Sequence, residues 1–374
     1  MTSEFVPFGL ERIMSTWENE VDYNLCESGV HPLTARQLVT EPGFLESLLD
    51  TEINYPQSNG NPELRENIAR LYPGATADNV LVTVGAIQAN ATAFLTLLEP
   101  GDEVAVMVPN YMQLWGMTQN FGHPLSTFAL KEELGWGVDT DELERAVSDK
   151  TRLIALVNPN NPTGHILTQD ERDAIIRVAD KHGAWLLCDE VYSGAERTTD
   201  VETPSFYGHY DKVIANNSMS KAYGLPGLRL GWSVGPKEVV AQMWARQDYL
   251  TICATMMANK LAAYALRADV RPRILARTRD YVRAGHDTLE AWVAKQGDVL
   301  RMTPSQAAAI AFIRYNKQIN STDLVMRLIK EKSAFVVPGD MFGLDHFLRV
   351  SFGLPAPYVN AGLDRLAEIL DSVD

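Results

Sequence analysis

Residues 216–231 read NNSMSKAYGLPGLRLG and follow directly on the apolar run Val213–Ala215. They bring two hydroxyls (Ser218, Ser220), an amine (Lys221) and a guanidinium (Arg229) into one short segment. Gly224, Gly227 and Gly231, with Pro226, allow sharp backbone turns that return Arg229 toward Ser218. A primary amine condenses with a carbonyl, and hydroxyls with a planar guanidinium bind phosphate oxygens. The set therefore matches a phosphorylated aldehyde, and pyridoxal 5′-phosphate (PLP) is the cofactor it suggests. An isolated Ser-x-Ser-Lys describes a solvated loop more often than a site, so the reading depends on what the rest of the chain places beside it.

From about residue 80 to 250, β-rich apolar runs alternate with helical patterns. VLVTVG leads into AIQANATAFLTLL, LIALVNP into TQDERDAIIRVADKHG, and LRLGWSVG into KEVVAQMWARQ, with EVAVMVP, AWLLCDE and KVIANNS as further runs. This alternation predicts an α/β fold with a mainly parallel sheet covered by helices on both faces. Thr168 and Glu171 have the spacing of a capping box. The polar residues fall at the ends of the runs: Gly85, Asn161, Asp189 and Ser218–Lys221. In open α/β sheets the ligand crevice lies at the carboxyl ends of the strands, so these residues are expected to converge. After about residue 285 the runs AAIAFIRY and HFLRVSFG, with helical STDLVMRLIKEKS and VNAGLDRLAEILDSV, predict a smaller α+β domain.

With 374 residues, 46% of them hydrophobic, the chain can bury a large core, expected to divide into two domains. The 33 basic and 48 acidic residues give a formal net charge of −15, which opposes binding to nucleic acid or anionic membranes. Three scattered cysteines, Cys26, Cys188 and Cys253, suggest neither a disulfide framework nor a metal knuckle, and a cytoplasmic location is expected. The N-terminal MTSEFVPFGLERIM has no basic and apolar leader pattern, and the uncharged stretch after Asp78 is too polar for a membrane span. Walker, dinucleotide and His-Glu-x-x-His motifs are absent, and no metal site is expected. Asn90-Ala91-Thr92 stands out only as an Asn-x-Thr pattern.

Several residues fit a pyridoxal group individually. Asp189, in CDEVY, would keep the ring nitrogen protonated, and Tyr192 lies three residues further on, within reach of the phenolic oxygen. A helix cap and a core tyrosine account for the pair equally well. Asn161 in NPNNPTG offers a second donor to that oxygen, and Asn161-Pro162 is a candidate cis bond. Gly85-Ala86-Ile87 would present backbone N–H groups to phosphate at a helix N-terminus. Tyr111 could lie against the ring face. Arg349 interrupts an apolar strand and needs an anionic partner, either a substrate carboxylate or a structural carboxylate.

Jointly, SMSKAYGLPGLRLGW, CDEVY, NPNNPTG, PNY, YPQSNGNPELR and FLRVSF resemble the class I/II aminotransferases of the PLP fold-type I superfamily, in the family's order from Tyr55 to Arg349. The resemblance implies a mainly parallel, seven-stranded-type sheet flanked by helices, plus a smaller α+β domain. It divides the chain into an N-terminal segment of the small domain (1–45), a large PLP-binding domain (46–284) and a C-terminal small domain (285–374). It implies Lys221 as the Schiff-base lysine and proton shuttle, and Asp189 as partner of the pyridine nitrogen. Asn161 and Tyr192 would hold the phenolic oxygen, while Ser218, Ser220, Arg229 and the backbone at Gly85, Ala86 and Ile87 would hold phosphate. Tyr111 would stack on the ring, and Arg349 would take the substrate carboxylate. Tyr55 would reach the neighbouring subunit's phosphate in a homodimer, and Gly29 lies near the substrate loop. The reaction implied is ping-pong transfer of an amino group from an L-amino acid to a 2-oxo acid.

The N-terminal LCESGVHPLT departs from the family's usual Gly-Glu-Pro or Gly-Asn-Pro loop and is similar to that of capreomycidine synthase-like enzymes. That similarity implies an alternative, a lyase or cyclase acting on a basic, arginine-derived amino acid, with Glu27 or His31 facing the substrate. A solvated loop position accounts for Glu27 just as simply. A third class, a ligand-sensing regulator, would need a basic DNA-binding extension that this acidic chain does not show.

Overall fold

The computed structural model describes residues 5–373; Met1–Glu4, at the head of the N-terminal segment, and Asp374 lie outside the described residues. In chain order the strands are β1 (Tyr23–Asn24), β2 (Val80–Thr83), β3 (Glu103–Val108), β4 (Leu125–Lys131), β5 (Gly137–Val138), β6 (Thr151–Val157) and β7 (Trp185–Asp189). They continue with β8 (Val213–Ser218), β9 (Gly231–Val234), β10 (Leu300–Met302), β11 (Ile310–Tyr315), β12 (Ala334–Phe335), β13 (Val337–Pro338) and β14 (Phe347–Ser351).

The large sheet has the order β2-β9-β8-β7-β6-β3-β4-β5. The pairs β8–β7, β7–β6, β6–β3 and β3–β4 are parallel, and β9 runs antiparallel between β2 and β8. Seven strands make the expected sheet, and the two-residue β5 adds an antiparallel edge. The apolar runs are nearly continuous because both faces are covered. Along β6, Ile154 and Leu156 pack into one buried cluster and Leu153, Ala155 and Val157 into another, as period-2 alternation requires. The helix Gln169–His182 begins at Thr168 with the full capping box and ends at left-handed Gly183. Strand β4 escapes the sequence pattern because it lies next to the edge and only two of its seven positions are buried.

The second sheet is antiparallel, in the order β10-β11-β14-β13, and β1 pairs in parallel with β12, so N-terminal and C-terminal segments share structure. The helix Arg271–Lys295 runs without a break through the expected boundary at 284. Preceding β1, the helix Gly9–Trp17 lies against the large sheet's carboxyl edge, where Phe8 packs on Tyr111 and Val6 N–H donates to Asn120 Oδ1 at 2.8 Å.

Where β9 passes between β2 and β8 it comes under the turn at Gly85. A Cβ on Gly231 would stand 2.5 Å from the Gly85 carbonyl carbon and the Ala86 nitrogen, both backbone atoms. Neither atom can give way without moving the strand-to-helix turn. Gly231→Ala is expected to destabilise the protein by roughly 1–3 kcal/mol, the range for overpacking a rigid site. Denaturant unfolding checks this; an unchanged midpoint would contradict it.

Candidate active site

Strands β2, β3, β6, β7 and β8 all end at one edge of the large sheet, and there a cavity of about 340 Å³ opens. Asp189 ends β7, Ser218 ends β8, Asn161 follows β6, Tyr111 follows β3, and the helix Gly85–Leu97 starts directly after β2. The cavity is lined by Ala86, Ile87, Tyr111, Asn161, Asp189, Tyr192, Ser218, Ser220, Lys221 and Arg229 from the sequence-derived set, and by Glu27 from the N-terminal loop.

At one end the donors suit an anion. Ala86 and Ile87 stand in the first turn of a 13-residue helix, where N–H groups and the helix dipole favour negative charge. Arg229 adopts a left-handed backbone (φ 47°), and its Nη1 donates to Ser220 Oγ at 3.3 Å. Gly85 is itself left-handed, and a Cβ there would lie 2.5 Å from Arg229 Nη2. The missing side chain is what lets the guanidinium lie over the helix start.

Asp189 lines the same cavity, 5% exposed. Its Oδ2 accepts from Asn90 Nδ2 at 2.9 Å and its Oδ1 from Val191 N–H at 3.2 Å. Burial pushes its carboxyl above the usual range, against the Asn90 and Val191 hydrogen bonds and the charge of Lys221. Behind it Glu190 is fully enclosed, accepting from Ser205 Oγ and Phe206 N–H, both at 2.9 Å. Burial, reinforced by the Asp189 charge, pushes the Glu190 carboxyl up to about 7 despite those bonds and Arg172.

Three carboxylates form the mouth. Glu11 and Glu18 project from the N-terminal helix and the residue that caps its end, and Glu27 comes from the loop after β1. Tyr111 Oη donates to Glu11 Oε1 at 2.5 Å. Burial first, then the charges of Glu27 and Glu11, raise the Glu18 carboxyl.

Other sequence-derived residues do not line the cavity. Arg349 is 1% exposed and sits behind Asn161, donating to its Oδ1 at 3.0 Å. Its remaining Nη donates to the Cys26 carbonyl and approaches Met14 Sδ at 3.8 Å. Gly29 passes over the lysine, where a Cβ would stand 3.2 Å from the Ser220 carbonyl oxygen and 3.7 Å from Lys221 Cα. His31 lies elsewhere, its carbonyl accepting from Arg277. Tyr55 is 81% exposed on the outer surface. Asn161-Pro162 is cis, as is Asn158-Pro159. Sequence reasoning missed Glu11, Glu18, Met14 and Asn90; Asn90 shares its uncharged helical run with Gln88, Thr92 and Thr96, so nothing in the pattern singled it out. Among the described residues, the metal-capable group His286, Asp287 and Glu290 lies on the helix Arg271–Lys295 and none of its members lines the cavity.

The family profile "Aminotransferase class I and II" matches residues 34–366. The chain belongs to the class I and II aminotransferase family. Similar members include capreomycidine synthase of Streptomyces vinaceus, 31% identical over 362 residues that cover 93% of this chain and 89% of that protein. A PLP-dependent aminotransferase from Streptococcus suis 89-1591 superposes with a TM-score of 0.93 at 29% identity, covering 100% of this chain and 99% of that one. The PLP-dependent cyclase OrfR superposes with a TM-score of 0.88 at 25% identity, covering 100% and 99%. These matches assign the fold-type I architecture and a PLP-dependent enzyme of the aminotransferase family. The residues fit that cofactor: a buried carboxylate bonded only to an amide and a backbone N–H shares one cavity with an anion cradle and a lysine.

In this aminotransferase-family site, Glu190 makes stability depend on pH. Its folded value of about 7 exceeds the ordinary 4.5, so its contribution is full below about 4.5 and is lost as pH rises through about 7. That difference amounts to roughly 3 kcal/mol. Glu190→Gln, which keeps the acceptor for Ser205 and Phe206, should gain stability relative to wild type as pH rises through this window. Thermal unfolding against pH measures it, and parallel curves would contradict the assignment.

Proposed function

We propose that the chain is a PLP-dependent aminotransferase that moves the amino group of an L-amino acid to a 2-oxo acid in a ping-pong reaction. The observation that carries this reading is the convergence of Lys221, Asp189 and the phosphate-type donors on one cavity. When bound, the cofactor supplies an electron sink for the bonds at the substrate's Cα. Asp189 holds the proton on the ring nitrogen, and Asn161 with Tyr192 donates to the phenolic oxygen. Ser218, Ser220, Arg229 and the N–H groups of the Gly85–Ile87 turn hold the phosphate, and Tyr111 covers a ring face. Lys221 would anchor the cofactor through its amine and would be the base that takes the substrate's Cα proton. Arg349 takes the substrate carboxylate in place of the Cys26 carbonyl, with the N-terminal segment moving aside and Gly29 giving it clearance. Residues 1–45 and 285–374 act together as the small domain, against a large domain of 46–284.

A second reading, a lyase or cyclase on a basic amino acid, is favoured by one observation. Glu11, Glu18 and Glu27 meet at the mouth, and once Lys221 is bonded to cofactor a cationic side chain is the natural partner for them. The likeness to capreomycidine synthase and to the cyclase OrfR supports it.

We further propose a homodimer with shared sites. Leu49, Ile53, Tyr55 and Tyr249 are exposed apolar side chains on two neighbouring segments, joined where Trp244 Nε1 donates to Ser58 Oγ at 2.6 Å. A second copy would cover them and bring its Tyr55 to the phosphate. A cytoplasmic location belongs to the same proposal: all three cysteines are free, and no helix among the described residues is long and apolar enough to cross a membrane.

The test is PLP-loaded enzyme with a panel of L-amino acids, with and without a 2-oxo acid acceptor. An aminotransferase forms the aminated cofactor and turns over only with the acceptor; product release without one would favour the second reading. Lys221→Ala is expected to lose activity by several orders of magnitude, and wild-type turnover in that variant would overturn the assignment. Glu18→Gln with Glu27→Gln should raise KM for an arginine-type substrate by about tenfold, the scale of one lost charge-assisted contact. An unchanged KM would remove the case for a cationic side chain.

A further inference from the structure

We infer that Asn90 is a positioning residue for the cofactor's ring nitrogen, holding Asp189 ionised and aimed and tying it to the phosphate-binding end of its own helix. This rests on the PLP reading of the cavity. Asn90 is 1% exposed, one and a half turns into the helix Gly85–Leu97, whose buried residues include Ala89, Ala93 and Phe94 as well as the polar Gln88 and Thr92. Its Nδ2 donates to Asp189 Oδ2 at 2.9 Å and to Gln113 Oε1 at 3.1 Å. Its Oδ1 accepts from Asn216 Nδ2 at 2.8 Å. Asn216 stands directly opposite Asp189 in the β7–β8 pairing, so the two partners of Asn90 are cross-strand neighbours.

With its carbonyl end engaged by Asn216, the Asn90 amide can only turn its donors toward the carboxylate. The arrangement leaves Asn216 Oδ1 buried without a partner, a cost the fold accepts to fix that direction. Gln113 extends the chain of bonds, its Nε2 donating to the Ile87 carbonyl at 2.6 Å. The group that would hold the ring nitrogen and the turn that would hold the phosphate are thus joined through two side-chain amides. A donor aimed at a buried carboxylate favours its charged form. Without that donor the carboxyl would keep its proton to higher pH, and a neutral acid cannot pair with a protonated ring.

Asn90→Leu preserves shape and removes the donor. Titration of apoprotein with PLP is expected to show binding weakened roughly tenfold or more, the scale of a hydrogen bond to a charged group. The pH below which binding falls should move up by about one unit or more. In an Asp189→Asn background, adding Asn90→Leu should change PLP affinity less than about twofold, because the two residues act as one unit. Asn216→Ala, which frees the Asn90 amide without touching Asp189, should shift the pH profile in the same direction and by less. The inference is overturned if Asn90→Leu folds and binds PLP with the wild-type affinity and pH profile, or costs as much in the Asp189→Asn background as in wild type. If Asn90→Leu does not fold, an unchanged Asn216→Ala overturns it instead. Wild-type protein that binds no PLP would sink the cofactor reading itself, a separate outcome.

Discussion

A carboxylate sealed at the end of β7 is the constraint on which the rest of the site depends. Removing an ion from water costs several kcal/mol unless another charge and hydrogen bonds compensate it. Asp189 has hydrogen bonds from Asn90 and Val191, while the nearest cation felt there, Lys221, acts through its field and not through a bond. The compensation within the chain is incomplete, which suits the carboxylate to a cationic partner in the cavity. Neighbouring Glu190 is raised further, up to about 7, chiefly by burial and in smaller part by the Asp189 charge.

The parallel sheet turns that local requirement into a site. Because β2, β3, β6, β7 and β8 end together, short polar turns after each strand reach one cavity without disturbing the apolar strands beneath. Close backbone approaches fix the anion-suited end of the cavity: Gly231 lies under Gly85, and Gly85 under the Arg229 guanidinium. The N-terminal segment closes the opposite side, with the Cys26 carbonyl on Arg349 and Glu11 bonded to Tyr111. The residues proposed to hold cofactor therefore sit on the sheet edge, while those proposed to meet substrate depend on a segment that also pairs with β12 of the C-terminal part.

Much of this was legible in the sequence, for identifiable reasons. Strands buried on both faces read as apolar runs, and polar residues at their ends were conspicuous by contrast, so Asp189, Asn161, Ser218, Ser220 and Lys221 could be placed before any coordinates. The capping box at Thr168 is local chemistry and was read directly. Strand β4 was not, because an edge-proximal strand lacks the apolar run. Glu11 and Glu18 were hidden because they line the cavity only after a short helix docks across the sheet, a contact set by tertiary packing. Arg349 was read as a buried arginine in need of an anionic partner; a backbone carbonyl that no sequence pattern announces accepts from its guanidinium.

The central claim is that Lys221 and the sheet edge hold PLP covalently. Borohydride reduction of the PLP-loaded protein, followed by peptide mapping, tests it most directly. The account predicts a single stable pyridoxyl label on the peptide carrying Lys221; a label on another lysine, or none on a protein shown to contain bound PLP, would contradict it.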